Sequence, residues 1–189
     1  MSFLDNLKKA AGNLVQKVSE DSQDFVFETI PTTLEELKAR PEADQKNPFG
    51  VAALLVVALN IYPANQEESF RMMEFLNGPN GFSGYDKSFM KDRFQQNGDS
   101  TPRSYFHGTT PANSYEPSEP YTVTVKTTPH SHDMGEGYIT LYLTSSGADS
   151  IRPVSFRNQA STGKWFIHSD SWHGLLAGIR KPANEDPWA

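Results

Sequence analysis

The longest apolar run in the chain, residues 47–63, contains no charged side chain and has a proline near each end. Its purely aliphatic centre, residues 51–59, is too short to cross a bilayer, because a helical span takes roughly 20 apolar residues. A helix that is apolar on every side must be covered by protein on all of its faces. The run therefore predicts a central buried helix around which the other elements pack.

The residues at the two ends of this run favour a helix over a strand. Asn47 is a favourable N-cap, and Pro48 suits the first helical position, which has no need of an N–H group. Pro63 ends the helix, because it disfavours helical angles at the residue before it. Val56 and Val57 have strand propensity, so a buried strand is the alternative interpretation.

Composition limits the classes of function that the chain can have. A net charge of −6 and a pI of about 5.3 argue against a nucleic-acid partner, because such affinity rests on cations that neutralise phosphates. The absence of cysteine excludes a disulfide scaffold, a thiolate zinc site and a cysteine nucleophile. A chain without cysteine fits a reducing compartment, and no apolar signal sequence is recognised, so we expect a cytoplasmic protein.

Helices and strands are predicted in different parts of the chain. Capping residues and apolar spacing predict helices at residues 34–39, 66–76 and 85–96, the last with an inward stripe formed by Tyr85, Phe89, Met90 and Phe94. Alternating residues predict strands at 24–30, 121–127, 138–144, 151–157 and 164–168. Pro153 is expected at an edge or a bulge, because proline cannot donate to a strand ladder. The order predicts an α+β fold, with helices packed on a C-terminal antiparallel meander of about four to six strands.

Three segments are predicted along the chain: an amphipathic N-terminal arm (1–22), one α+β domain (23–182) and a polar tail (183–189). The arm has apolar residues at helical spacing, namely Phe3, Leu4, Leu7, Leu14 and Val18. This face predicts self-association, docking on the domain or contact with another protein. The alternatives are peripheral contact with an anionic membrane surface and a disordered arm.

A long irregular segment, residues 99–120, contains four prolines and several aromatic residues. Segments of this length without regular structure are often lids or binding loops, although residues 104–107 are expected to form a short strand. The segment predicts a ligand pocket between the meander and the helices. Its candidate lining residues are Tyr105, His107, Tyr142, Trp165 and His168.

Two groups of histidines provide further candidate sites. His130 and His132 point the same way in an extended segment and are candidates for a metal site, although no third ligand is identified. His168, Asp170 and His173 follow the last strand, where Ser169 or Asp170 is expected to cap a turn. No catalytic residue is nominated, no cofactor is predicted, and no phosphate-binding or dinucleotide fingerprint is found.

Two stretches carry a resemblance to a known family. They are residues 47–50 with the apolar run that follows, and residues 152–182, which include Arg152, Pro153, Trp165 and Pro182. Together they resemble a family of uncharacterised bacterial proteins, mostly Gram-positive, with no assigned activity, over residues 30–182. The order of elements also resembles the cone-shaped folds of the nuclear transport factor 2 type, a similarity of fold alone.

The sequence leaves three functions open. The first is a non-enzymatic binding or interaction module of the bacterial cytoplasm, which would use the N-terminal face. The second is a small-molecule or enzymatic pocket under residues 99–120. The third is a metal site at His130 and His132.

Overall fold

The computed structural model describes residues 21–186 and residue 188. This part of the chain forms five α-helices: α1 (Leu34–Lys38), α2 (Pro48–Ile61), α3 (Gln66–Asn77), α4 (Gly84–Asn97) and α5 (Ser100–Arg103). It also forms five strands: β1 (Ser22–Phe27), β2 (Tyr121–Lys126), β3 (Tyr138–Leu143), β4 (Arg152–Gln159) and β5 (Lys164–Ile167). A 3-10 segment, Ser169–Leu176, follows the last strand. The predicted α+β fold is confirmed.

The strands form one antiparallel sheet in the order β1-β2-β3-β4-β5. Each strand pairs with the next strand along the chain, and the helices lie in the connection between β1 and β2. β2 and β3 pair only at Val125–Leu143 and Lys126–Tyr142. The predicted strand at residues 104–107 is reduced to one isolated bridge between Phe106 and Val123.

Pro153 lies on a strand that has neighbours on both sides, β3 and β5. It faces Tyr142 of β3, whereas β5 pairs only with the other half of β4, from Phe156 onward. The missing N–H of Pro153 therefore lies outside the β4–β5 ladder. At Pro153 the side of β4 that faces β5 therefore has no strand partner, as at the edge of a sheet, although β4 lies inside the sheet.

The central helix is α2, and its environment matches the prediction from the apolar run. Asn47 caps it by accepting a hydrogen bond from the Phe49 N–H at 3.0 Å, and Pro48 is its first residue. Twelve of its 14 residues are buried, so the helix has no solvent-exposed face. It packs against α3 on one side and against β2, β3 and β5 on the other. Ser69 of α3 donates to the Ala58 carbonyl at 2.7 Å and ties the two helices together.

The predicted inward stripe of α4 is wrong at its first residue. Met90 and Phe94 are buried and Phe89 is partly buried, but Tyr85 is 66% exposed. At 3.6 residues per turn, Tyr85 lies about 140° around the helix from Met90 and about 180° from Phe94. The three side chains therefore cannot all point into the core from one face of α4.

Residues 99–120 pack closely onto the body of the domain. They contain α5 and a 3-10 turn at Pro111–Asn113, and the buried hydroxyl of Tyr105 donates to the Leu175 carbonyl at 2.8 Å.

No helix in the described residues has both the length and the apolar composition that a membrane span requires. The predicted contacts of Phe3, Leu4, Leu7, Leu14 and Val18 lie outside the described residues.

Candidate functional site

The five residues proposed to line one pocket lie in different places. Tyr105 and His107 line a shallow cleft of about 490 Å³ beside β2. Tyr142 is on β3, where it pairs with Lys126 of β2 and Pro153 of β4. Trp165 packs against the hydrophobic core, and His168 lines a separate cleft. The sheet and α2 meet through fully buried side chains, among them Leu54, Val123, Leu141 and Phe156.

The histidine pair of the β2–β3 connection is exposed. Nδ1 of His130 donates a hydrogen bond to Oδ2 of Asp133 at 2.9 Å, and His132 is also at the surface. Across the described part of the chain, neither imidazole belongs to a group of three side chains that could hold a metal ion.

Such a group is formed instead by Asp86, Asp170 and His173. One donor atom from each of the three side chains lies within 4.8 Å of the other two, and Nε2 of His173 is 3.9 Å from Oδ1 of Asp86. Asp86 belongs to the first turn of α4, and the other two belong to the 3-10 segment. Packing of α4 against this segment brings the three together.

Asp86 is held in place by the N-terminal cap of α4. Its Oδ2 accepts hydrogen bonds from the backbone N–H of Ser83 at 2.7 Å and from the Ser83 hydroxyl at 2.6 Å. The Ser83 hydroxyl in turn accepts from the Asp86 N–H, which completes a capping box. Because Oδ2 is engaged in this way, Oδ1 is the oxygen that faces His173.

His173 is fixed between aromatic rings. Its imidazole stacks on Phe89, with centroids 3.6 Å apart and planes 13° apart, and meets Trp172 edge-on at 4.4 Å. Its Nε2 is buried and has no hydrogen-bond partner among the described residues. Buried polar atoms are nearly always paired, so an unpaired one calls for an explanation such as a water molecule or an ion.

Burial lowers the pKa of the His173 imidazole, and the carboxylates of Asp170 and Asp86 oppose this shift. A nearby guanidinium, that of Arg93, adds to the lowering. The shift favours the neutral form of the ring, whose approach to Asp86 is not an ion pair. A neutral imidazole has a lone pair that a metal ion can use.

Asp170 is the exposed member of the group. It lies at a kink in the 3-10 segment, next to Ser169, whose φ is +51°. The prediction that Ser169 or Asp170 caps this segment was wrong, since no side-chain hydrogen bond is made at its N-cap. The carboxylate can therefore turn toward Asp86 and His173 without breaking a cap.

A cleft of about 260 Å³ opens beside this group. Besides Asp86 and Asp170, polar side chains line it, namely Asn77, Asn80, Arg157 and His168. Asn80 and Arg157 also line an adjoining cleft of about 340 Å³, which includes Phe166 and Pro79. The two clefts share these two residues and lie beside each other, and together they are called the recess.

Sequence reasoning identified half of this site. It grouped His168, Asp170 and His173 but missed Asp86, Asn77 and Arg157, which come from other elements. The spacing Ser83-x-x-Asp86 is a capping-box pattern and places Asp86 in the first helical turn. Nothing local to α4 indicates that this turn faces His173.

Comparisons with known proteins identify the family. No curated protein and no solved structure matches the chain significantly. The model of DUF6935, a domain of unknown function, matches residues 29–183, which include every helix and strand given above except β1. The match confirms the resemblance to an uncharacterised family. The chain belongs to the DUF6935 family.

Proposed function

We propose that this protein binds a divalent transition-metal ion through Asp86, Asp170 and His173. The observation that carries the proposal is the buried Nε2 of His173, which has no hydrogen-bond partner in the described residues and faces two carboxylates. A cation between these atoms would satisfy the nitrogen. It would also remove the repulsion between the two negative charges.

The donor set selects the kind of ion. Imidazole suits zinc, iron, nickel and copper, whereas calcium and magnesium prefer oxygen donors alone. One nitrogen and two carboxylates at a single ion therefore favour Zn²⁺ or Fe²⁺ over Ca²⁺ and Mg²⁺.

The spacing of the donors fits a site that closes slightly on binding. Donors about 2.1 Å from one ion lie roughly 3.0–3.5 Å from each other, compared with 3.9 Å between His173 and Asp86. Asp170 is exposed and can move inward. Ser83 and Phe89 hold the other two ligands, as residues behind metal ligands commonly do.

Metal titration of the full chain tests the proposal. Protein treated with a chelator and dialysed should bind one Zn²⁺ ion per chain in calorimetry, and Ca²⁺ much more weakly. Asp170→Asn and His173→Gln should each weaken binding at least about tenfold. Asp170 is exposed, so its variant is expected to fold normally, and circular dichroism checks this.

His130→Gln is the matched control, because it removes an exposed imidazole that has an acidic neighbour of its own. This variant should bind the ion like the unaltered protein. Failure of the unaltered protein to bind a stoichiometric ion would contradict the proposal. Loss of binding in His130→Gln alone would place the metal in the β2–β3 connection instead.

A further inference from the structure

We infer that a metal ion at Asp86, Asp170 and His173 acts together with Arg157 to bind a small organic oxyanion in the adjoining recess. The ligand class is a molecule with a carboxylate or phosphate group. The inference rests on the proposed metal site and adds the partner that this site would take.

The metal would keep open positions on the side of the cleft. Three protein ligands leave at least one position vacant in the geometries that these ions adopt, which is typical of sites that bind exogenous ligands. Asp86 and Asp170 line the cleft, so an anion in the cleft can reach the ion directly.

Arg157 supplies the second positive group. Its guanidinium lies 5.5 Å from the centre of the Tyr138 ring, and it lines both parts of the recess. None of the ion pairs among the described residues involves Arg157. A guanidinium without a carboxylate partner has its planar set of donors available for an oxyanion.

Asn77 is a further polar residue in the wall of this cleft, where it is only 4% exposed. Asn80, beside it, is already engaged through a hydrogen bond to the Ile167 carbonyl at 3.0 Å. Asn77 can offer its carboxamide to a polar ligand in the cleft.

The affinity of the cleft for an anion depends on the metal ion because of the charges around the cleft. Without an ion, two carboxylates outweigh one guanidinium and the cleft repels anions. A divalent cation reverses that balance. Metal and anion therefore favour each other's binding, and thermodynamic linkage requires that each raise the affinity of the other by the same factor.

The recess limits the size of the ligand. A part of about 260 Å³ beside the carboxylates can take the anionic group. The adjoining part of about 340 Å³, with Phe166 and Pro79 in its wall, can take a body of mixed polarity. These dimensions suit a small metabolite rather than a polymer.

Cobalt substitution provides the test, because the visible spectrum of Co²⁺ changes when an exogenous ligand enters its coordination sphere. The full chain loaded with Co²⁺ is titrated with succinate and, separately, with inorganic phosphate. At least one should shift the spectrum saturably, and the more effective one identifies the preferred group. The same anion should raise Co²⁺ affinity about 5–150-fold, as measured by competition with a chelator.

Arg157→Gln should weaken anion binding at least about tenfold and leave Co²⁺ binding without the anion nearly unchanged. Arg103→Gln, in a different cleft, is the matched control and should behave like the unaltered protein. Asn77→Ala should also weaken anion binding.

Different outcomes contradict the anion site and the metal site. Normal Co²⁺ binding without a spectral change by either anion overturns this inference and leaves the proposed metal site standing. Equal anion affinity with and without metal, or in Arg157→Gln, also overturns it. Absence of Co²⁺ binding overturns the metal site and this inference together.

Discussion

The imidazole of His173 stacks on the phenyl ring of Phe89, with centroids 3.6 Å apart and planes 13° apart. Phe89 is on α4, as is Asp86, so one helix provides both a candidate ligand and the surface that orients another. Arg93 lies on the same helix, 5.0 Å from the centre of the Phe89 ring. The position of the His173 ring is therefore set by packing and not by a hydrogen bond from Nε2.

Phe89→Leu should weaken metal binding about tenfold or more, because residues that orient metal ligands usually contribute 10–100-fold to affinity. The change keeps an apolar side chain but removes the flat surface under the imidazole. Calorimetric titration with Zn²⁺ measures the effect. Tyr85→Leu, at an exposed position with its ring 6.2 Å from the imidazole, is the control and should leave the affinity unchanged.

Leu54→Ala and Leu59→Ala should each destabilise the protein by about 2–5 kcal/mol. Both side chains are fully buried, although they lie about 140° apart around α2. A helix with one wet face would show a large loss at one position and a small loss at the other. Urea unfolding followed by circular dichroism measures both, and a small loss at either position would contradict the enclosed position of α2.

Glu68→Gln should lower the melting temperature at neutral pH. The Leu34 N–H donates to Oε2 of Glu68 at 2.6 Å, which links α3 to the start of α1. This hydrogen bond lowers the pKa of Glu68, partial burial opposes the shift, and Arg71 adds to the lowering. The carboxylate therefore stabilises the folded state above its unfolded-state pKa, near 4.5.

The difference in melting temperature should be constant between pH 6 and 8 and should shrink as the pH falls below about 4.5. The loss continues as the pH passes through the lower pKa of the folded state. Glu67→Gln makes the same change of charge at an exposed neighbour and should have little effect. A difference that grows at acidic pH would contradict the contact with Leu34.

Gly78→Ala should be strongly destabilising. Gly78 ends α3 with a φ of +54°, and a Cβ atom there would overlap the ring of Phe166. Overpacking costs about 1–3 kcal/mol, and the positive φ adds roughly 1 kcal/mol or more. Gly84→Ala, where a Cβ atom meets nothing within 4 Å, should be neutral or stabilising. Thermal unfolding of the two variants separates these outcomes.

Elements whose causes are local could be predicted closely. Asn47 and Pro48 start α2, and Asn65 starts α3, because a cap acts within three residues of itself. Four predicted strands of the meander were found within two residues of their expected ends, because alternation and turn residues are also local. Tyr85 was placed wrongly, although helical spacing alone puts it on the opposite side of α4 from Phe94.

The sequence by itself determined that residues 51–59 must lie at the centre of this protein, since nine consecutive aliphatic residues have no other way to avoid water, and the capping residues favoured a helix there. It also determined that helices precede an antiparallel meander. Only the tertiary structure decided where the donors meet, because Asp86 and His173 come together through the packing of α4 on the 3-10 segment. The same packing buries Nε2 and lowers the pKa of His173, and burial is a property of the fold that no local spacing specifies.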